Sequence, residues 1–192
     1  MRYPLVLDLE TKRTFRTTPK TQDLGVSLVG VYDYKTGKLK SYLEDELTTL
    51  FPVLEEASVI IGFNIDHFDM PVLSPYYPGN ISQFKTFDIL ADVKVQLGRR
   101  LSLNDLVAAT LDKKKSGHGL QAIQYYKSGQ IDKLRKYCLD DVDLTRKLFE
   151  FGVRHNHIFY PNHVGKVKLP VSWSRHKEYK GERDDMNLTL RF

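Results

Sequence analysis

The sequence is short of cysteine. One residue, Cys138, stands in 192. A lone cysteine excludes an intramolecular disulfide and a cysteine-rich zinc site, and it points to a reducing, intracellular compartment. Long apolar runs are missing too. Although 41% of residues are hydrophobic, no stretch approaches the ~18 needed to cross a bilayer, so no membrane partner is expected. The opening MRYPLVLDLE turns acidic quickly and has no small-residue cleavage site, which argues against a signal peptide. Internal repeats and low-complexity linkers are absent. The length suits one domain with a small appendage.

What is present is an acidic pattern in a basic chain. Tyr3 to Leu9 reads YPLVLDL, an apolar run of the kind that forms a buried strand. It ends in Asp8 and Glu10. Alternation along a strand puts both on one face, about 7 Å apart. Two acids on one face repel each other and lose solvation unless a cation sits between them. Lys and Arg number 29 against 24 Asp and Glu, a surplus of five. Setting four proposed metal acids aside widens it to nine, which suits a polyanion held near an acidic site.

The chain order is mixed α/β. Strands are expected over Tyr3 to Leu9, Leu24 to Tyr34 and Leu39 to Leu43, with a turn at Lys35 to Lys38, giving an antiparallel meander. Leu47, Leu50, Phe51 and Leu54 mark a helix face that contains Pro52. Ser58 to Phe63 reads as a short buried strand. A helix carrying Phe68, Asp69 and Val72 follows, then a loop over 75–80, a strand over Thr86 to Ile89 and a helix over Leu90 to Leu97. Ser102 and Asp105 form an acidic capping box opening Leu103 to Leu111. Lys113-Lys114-Lys115-Ser116-Gly117 is a basic loop. Helices follow over Leu120 to Lys127 and Ile131 to Phe151, with Gly152 as the stop of the last. Residues 1–152 are thus expected to form the main domain. Residues 153–192 form a C-terminal extension packed on it, with alternating Val167, Leu169, Val171 and Trp173 as a β ribbon and a looser end after Ser174.

The last helix separates two neighbouring acids. Leu134, Cys138, Thr145 and Leu148 define an inward stripe that contains Tyr137 and Asp141. Asp140 falls with Lys136, Asp143 and Lys147 on the solvent face. Asp69 follows a buried strand and can face the end of the first one. Four carboxylates so placed can hold two hard divalent cations through oxygen. Two such ions about 4 Å apart can clamp both oxygens of an in-line phosphodiester displacement.

Asp8-Leu9-Glu10, Asn64 with Phe68-Asp69, and Tyr137-Cys138-Leu139-Asp140-Asp141 resemble the three motifs of the DEDD superfamily of 3′–5′ exonucleases. The third is in the Tyr-x-x-x-Asp form of the DEDDy branch. Polymerase proofreading domains and ribonuclease D belong to this superfamily. The resemblance spans about Tyr3 to Gly152 and implies a ribonuclease H-like fold, a mixed five-stranded sheet flanked by helices. It implies that Asp8, Glu10, Asp69 and Asp141 ligate two Mg²⁺ or Mn²⁺ ions. It implies that Tyr137 orients the attacking water, and that Thr11, Asn64 and Phe68 touch the terminal nucleotide of a single-stranded DNA or RNA 3′ end. The rival readings are a non-catalytic nucleic-acid-binding or scaffolding domain on the same fold and a structure-selective endonuclease. Taken singly, each residue has a plainer role. Asp8 and Glu10 could pair with Lys12 or Arg13, Asp69 could favour a helix start, and Tyr137 could fill the core. Arg99-Arg100 and Lys113 to Lys115 read as solvated charge or as phosphate contacts. His155, His157 and His163 read as surface histidines, and Asp88 and Asp92 as capping or inward acids. The sequence leaves open whether the chain works beside a polymerase, beside a helicase or alone.

Overall fold

The computed structural model describes residues 2–114 and 119–176. Lys115 and the chain beyond His176, including most of the expected looser end, lie outside the described residues. The sheet begins with β1 (Tyr3–Thr11), β2 (Val26–Asp33) and β3 (Lys38–Leu43) in an antiparallel meander. Gly25, with φ +69, delays β2 past the expected Leu24. The Asp33 carboxylate accepts from the Lys35 amide and the Thr36 hydroxyl, and Gly37 at φ +66 closes the turn into β3.

α1 (Leu47–Glu56) follows and accommodates Pro52 inside it. The missing hydrogen bond is offset by burial of Leu47, Leu50, Phe51 and Leu54 against the sheet. β4 (Ala57–Gly62) and β5 (Thr86–Asp88) add parallel to β1 and to each other, so the order is β3-β2-β1-β4-β5. Between them lies the short α2 (Asp69–Leu73). Then come α3 (Ile89–Leu97), α4 (Leu103–Leu111), α5 (Gly119–Lys127) and α6 (Ile131–His155). The capping box of Ser102 and Asp105 opens α4 as expected. A separate hairpin of β6 (His157–Asn162) and β7 (Gly165–Pro170) completes the described fold.

β1 alternates between two cores. Leu5, Leu7 and Leu9 pack with α1 and α2 on one face of the sheet. Val6 packs on the other face, in a cluster that contains α4, α6 and the hairpin. Asp8 and Glu10 share the parity of Val6, so they point toward α6. Gly30, the β2 partner of Asp8, explains how close α6 comes. A Cβ there would stand 2.8 Å from Cys138 Sγ and 3.0 Å from Val142.

The last helix corrects one expectation. Gly152 is not its stop; α6 continues to His155, and Asn156 at φ 55 caps it in the left-handed conformation. Gly152 is needed because the Trp173 ring lies on it, and a Cβ would fall 2.2 Å from Trp173 Cε3. Trp173 is only 1% exposed, stacks parallel to Phe149 and donates from Nε1 to Asp92 Oδ2 at 2.8 Å. The segment after the hairpin is therefore part of the α6-side core, and Asp92 is its hydrogen-bond anchor. No described helix is long and apolar enough to cross a membrane.

Candidate metal centre

Three carboxylates converge where β1 meets α6. Asp8, Glu10 and Asp141 each offer an oxygen, and the three oxygens lie within 4.8 Å of one another. Asp141 is 1% exposed on the inward face of α6. Asp140, one residue earlier, pairs with Lys136 at 2.7 Å on the outside. Helix geometry thus separates two adjacent acids, one into the protein and one into solvent.

Asp69 approaches from the first turn of α2 and is not among those three. Its placement has a backbone cause. Beyond Val6 the register between β1 and β4 ends, and Asp69 Oδ1 takes the Leu9 N–H at 3.0 Å. The carboxylate stands in for the missing strand. Burial pushes the Asp69 pKa well above the ordinary carboxylate range, and the nearby Asp8 charge adds to the rise, while the Leu9 amide opposes it. A cation beside Asp8 would relieve both penalties. The donors are all carboxylate oxygens, which suits a hard divalent ion such as Mg²⁺ or Mn²⁺. Cys138 Sγ lies 3.6 Å from the Asp8 carbonyl oxygen and 4.0 Å from Asp8 Oδ2. Burial first, then the charges of Asp8, Glu10, Asp141 and Asp69, push its thiol pKa up. The sulfur packs on Gly30.

Tyr137 is one turn before Asp141 and is buried among Leu28, Ala122, Leu134 and Cys138. Asp8, Glu10 and Asp69 line a cleft of about 440 Å³ whose walls also include Thr11, Phe15, Phe68 and Leu120. The Phe15 ring, 54% exposed, leans on Phe68 with centroids 6.1 Å apart. Thr11 turns its hydroxyl to the Arg13 carbonyl at 2.8 Å. Asn64 sits in the left-handed region at φ 67, with its side-chain oxygen accepting from Arg100 Nη2 at 2.9 Å.

Asp88 supplies what sequence reasoning could not assign. Its carboxylate caps α3 through the Leu90 and Ala91 amides and also accepts from the amides of Asn64 and Asp66. One side chain therefore fixes the start of a helix and the loop that carries Asn64 toward Phe68 and Asp69. Its position just before a helix was a visible capping signal; the loop 24 residues earlier in the chain was not. Phe15, which lines the cleft, and Arg100, which holds the Asn64 side chain, also lie outside the motifs. Of the basic groups, Lys113 and Lys114 stand exposed after α4. His155 and His157 pack on Phe151.

No known family model matches the chain, and no curated protein does. Its fold is similar to that of the family B DNA polymerase from the hyperthermophilic archaeon Pyrobaculum calidifontis, with 17% identity, TM-score 0.61, and coverage of 80% of this chain and 25% of the polymerase. It is also similar to Trypanosoma brucei RNase D, with 15% identity, TM-score 0.58, and coverage of 78% of this chain and 57% of RNase D. The chain therefore matches a quarter of the first structure and little over half of the second. The likeness establishes the ribonuclease H-like fold: a mixed five-stranded sheet flanked by helices.

Proposed function

We propose that this chain is a metal-dependent 3′–5′ exonuclease of the DEDDy kind, acting on single-stranded ends of DNA or RNA. The observation that carries the proposal is the convergence of Asp8, Glu10 and Asp141, with carboxylate oxygens inside 4.8 Å, where Asp8 and Glu10 also line an open cleft. Asp8, Glu10, Asp69 and Asp141 hold two divalent cations, Mg²⁺ or Mn²⁺. When bound, these ions polarise the phosphodiester and offset the charge that develops on the attacking and leaving oxygens. The protein's own groups do the positioning. Tyr137 presents a hydroxyl from the same helix face as Asp141 and orients the attacking water. Its contribution is orientation rather than proton removal, because the cations would supply the activation of the water. The exposed Phe15 ring and the half-buried Phe68 ring beside it offer faces to the terminal bases, while Thr11 and Asn64 contact the sugar and phosphate. The surplus of basic residues holds the strand.

Incubation with 5′-labelled linear strands and with circular strands of DNA and RNA tests this reading. The expected result is a ladder shortened from the 3′ end in Mg²⁺ or Mn²⁺, none in EDTA, and intact circles. Equal cutting in EDTA removes the metal chemistry. Cutting of circles makes the chain an endonuclease. Binding without any cleavage leaves a nucleic-acid-binding domain.

A further inference from the structure

Arg99 and Arg100 lie in the middle of the five-residue link between α3 and α4, and the link is fixed at both ends. Gly98 at φ +67 ends α3 with its amide on the Lys94 carbonyl; the buried Leu101 and the Ser102 cap start α4. The two guanidinium groups leave this link for different neighbours. Arg100 reaches Asn64, whose backbone Asp88 pins at 2.9 Å. Arg99 reaches the tip of the C-terminal hairpin, where it lies over the Tyr160 ring at 6.0 Å and points Nη2 toward the Pro161 carbonyl at 3.5 Å. Beneath it opens a groove of about 670 Å³ lined by Leu97, Arg99, Tyr160, Pro161, Asn162 and His163. Arg99 and His163 are exposed, and Asn162 is held by its turn bond to the Val164 amide at 2.9 Å.

We infer that this groove is a second contact site for a single nucleic-acid strand, taking the part of the strand that runs on from the acidic cleft past Asn64. The chemistry is an exposed guanidinium for a phosphate, an aromatic ring beside it for a base or ribose face, and amide and imidazole groups at the rim. The groove is built by the hairpin, which none of the three acidic motifs includes. Charge selects the occupant: Arg99 lines the opening and Arg100 follows it in the chain toward Asn64, and a polyanion with flat bases satisfies both the charge and the Tyr160 ring. The inference rests on the exonuclease reading for the identity of the strand.

The test uses the full chain with Arg99→Gln and His163→Gln together, both at exposed positions. Binding of labelled single strands of about four and about sixteen nucleotides is measured with metal withheld, across a salt series. The longer strand should bind roughly tenfold more weakly to the double variant, with the log–log salt slope shallower by about 0.7 to 1. The shorter strand should bind and, with metal restored, be cut as by wild type. An unchanged affinity for the longer strand overturns the groove, and so does an equal loss for both lengths. Displacement of the longer strand by polyglutamate as effectively as by unlabelled strand also overturns it, by making the surface a site for any acidic chain. A wild-type protein that binds neither length overturns the nucleic-acid reading itself, a result distinct from failure of the variant alone.

Discussion

Asp141→Ala should lose nearly all cleavage while its neighbour Asp140→Ala keeps it. Asp141 is 1% exposed and shares its 4.8 Å cluster with Asp8 and Glu10. Its removal takes away a ligand and the negative charge that balances a second cation. The loss in turnover should be on the order of 10³-fold or more, as when a group that stabilises developing charge is deleted. The variant should fold, because a buried carboxylate among three others is replaced by a small apolar group and like-charge repulsion falls. Asp140 makes an exposed i,i+4 pair with Lys136. Asp140→Ala should shift stability by no more than about 0.5 kcal/mol and leave turnover near wild type. Tyr137→Phe falls between them. It keeps the ring that packs on Leu28, Ala122 and Leu134 and loses the hydroxyl, so turnover should drop with little change in strand affinity. Steady-state cleavage and equilibrium binding of the three variants check this. An active Asp141→Ala beside a folded but dead Asp140→Ala would shift the third motif by one residue and remove Tyr137 from its role.

Trp173→Ala should be among the most destabilising single changes outside the sheet. Trp173 is fully enclosed. It stacks on Phe149 at 6.2 Å, meets Phe87 edge-on at 5.8 Å and hydrogen-bonds Asp92. Truncation should cost about 3–5 kcal/mol. For a chain of this size that lowers the Tm by roughly 10 °C. Gly152→Ala supplies the complementary test, since its new Cβ would overlap the Trp173 ring. It should destabilise wild type. In the Trp173→Ala background it should become neutral or stabilising by up to about 1 kcal/mol, because alanine is the better helix residue once the ring is gone. Denaturant unfolding of the two single variants and the double variant measures the coupling. Additive effects, or a Trp173→Ala cost below about 1 kcal/mol, would mean that the chain after the hairpin is not part of the core.

Local pattern carried the elements and their faces. Alternation in β1 put Asp8 and Glu10 on the side of Val6, and the 3.6-residue stripe of α6 turned Asp141 inward and Asp140 outward, because both periods follow from backbone geometry alone. Contacts between distant segments had no such signal. Gly152 reads as a helix stop when only its neighbours are known; its reason is a tryptophan 21 positions later. Asp88 reads as a helix cap, and its hold on the Asn64 loop depends on β5 lying beside β4. Pro52 blurs the start of α1 in sequence, while buried leucines on both sides keep the helix continuous through it. Asp69 could be paired with β1 by motif order, but its bond to the Leu9 amide exists because β4 stops two strand positions short.

The cation site is the centre of the account, and thermal melting of metal-free protein against Mg²⁺ and Mn²⁺ tests it most directly. Millimolar metal should raise the wild-type Tm, because the ion binds the folded carboxylate cluster and not the unfolded chain. Asp8→Asn should lose that rise, and without metal it should melt at or above the wild-type temperature, since the repulsion that lifts the Asp69 pKa is relieved. A wild-type Tm that does not move with either metal, or an Asp8→Asn variant that gains as much as wild type, would contradict the metal centre.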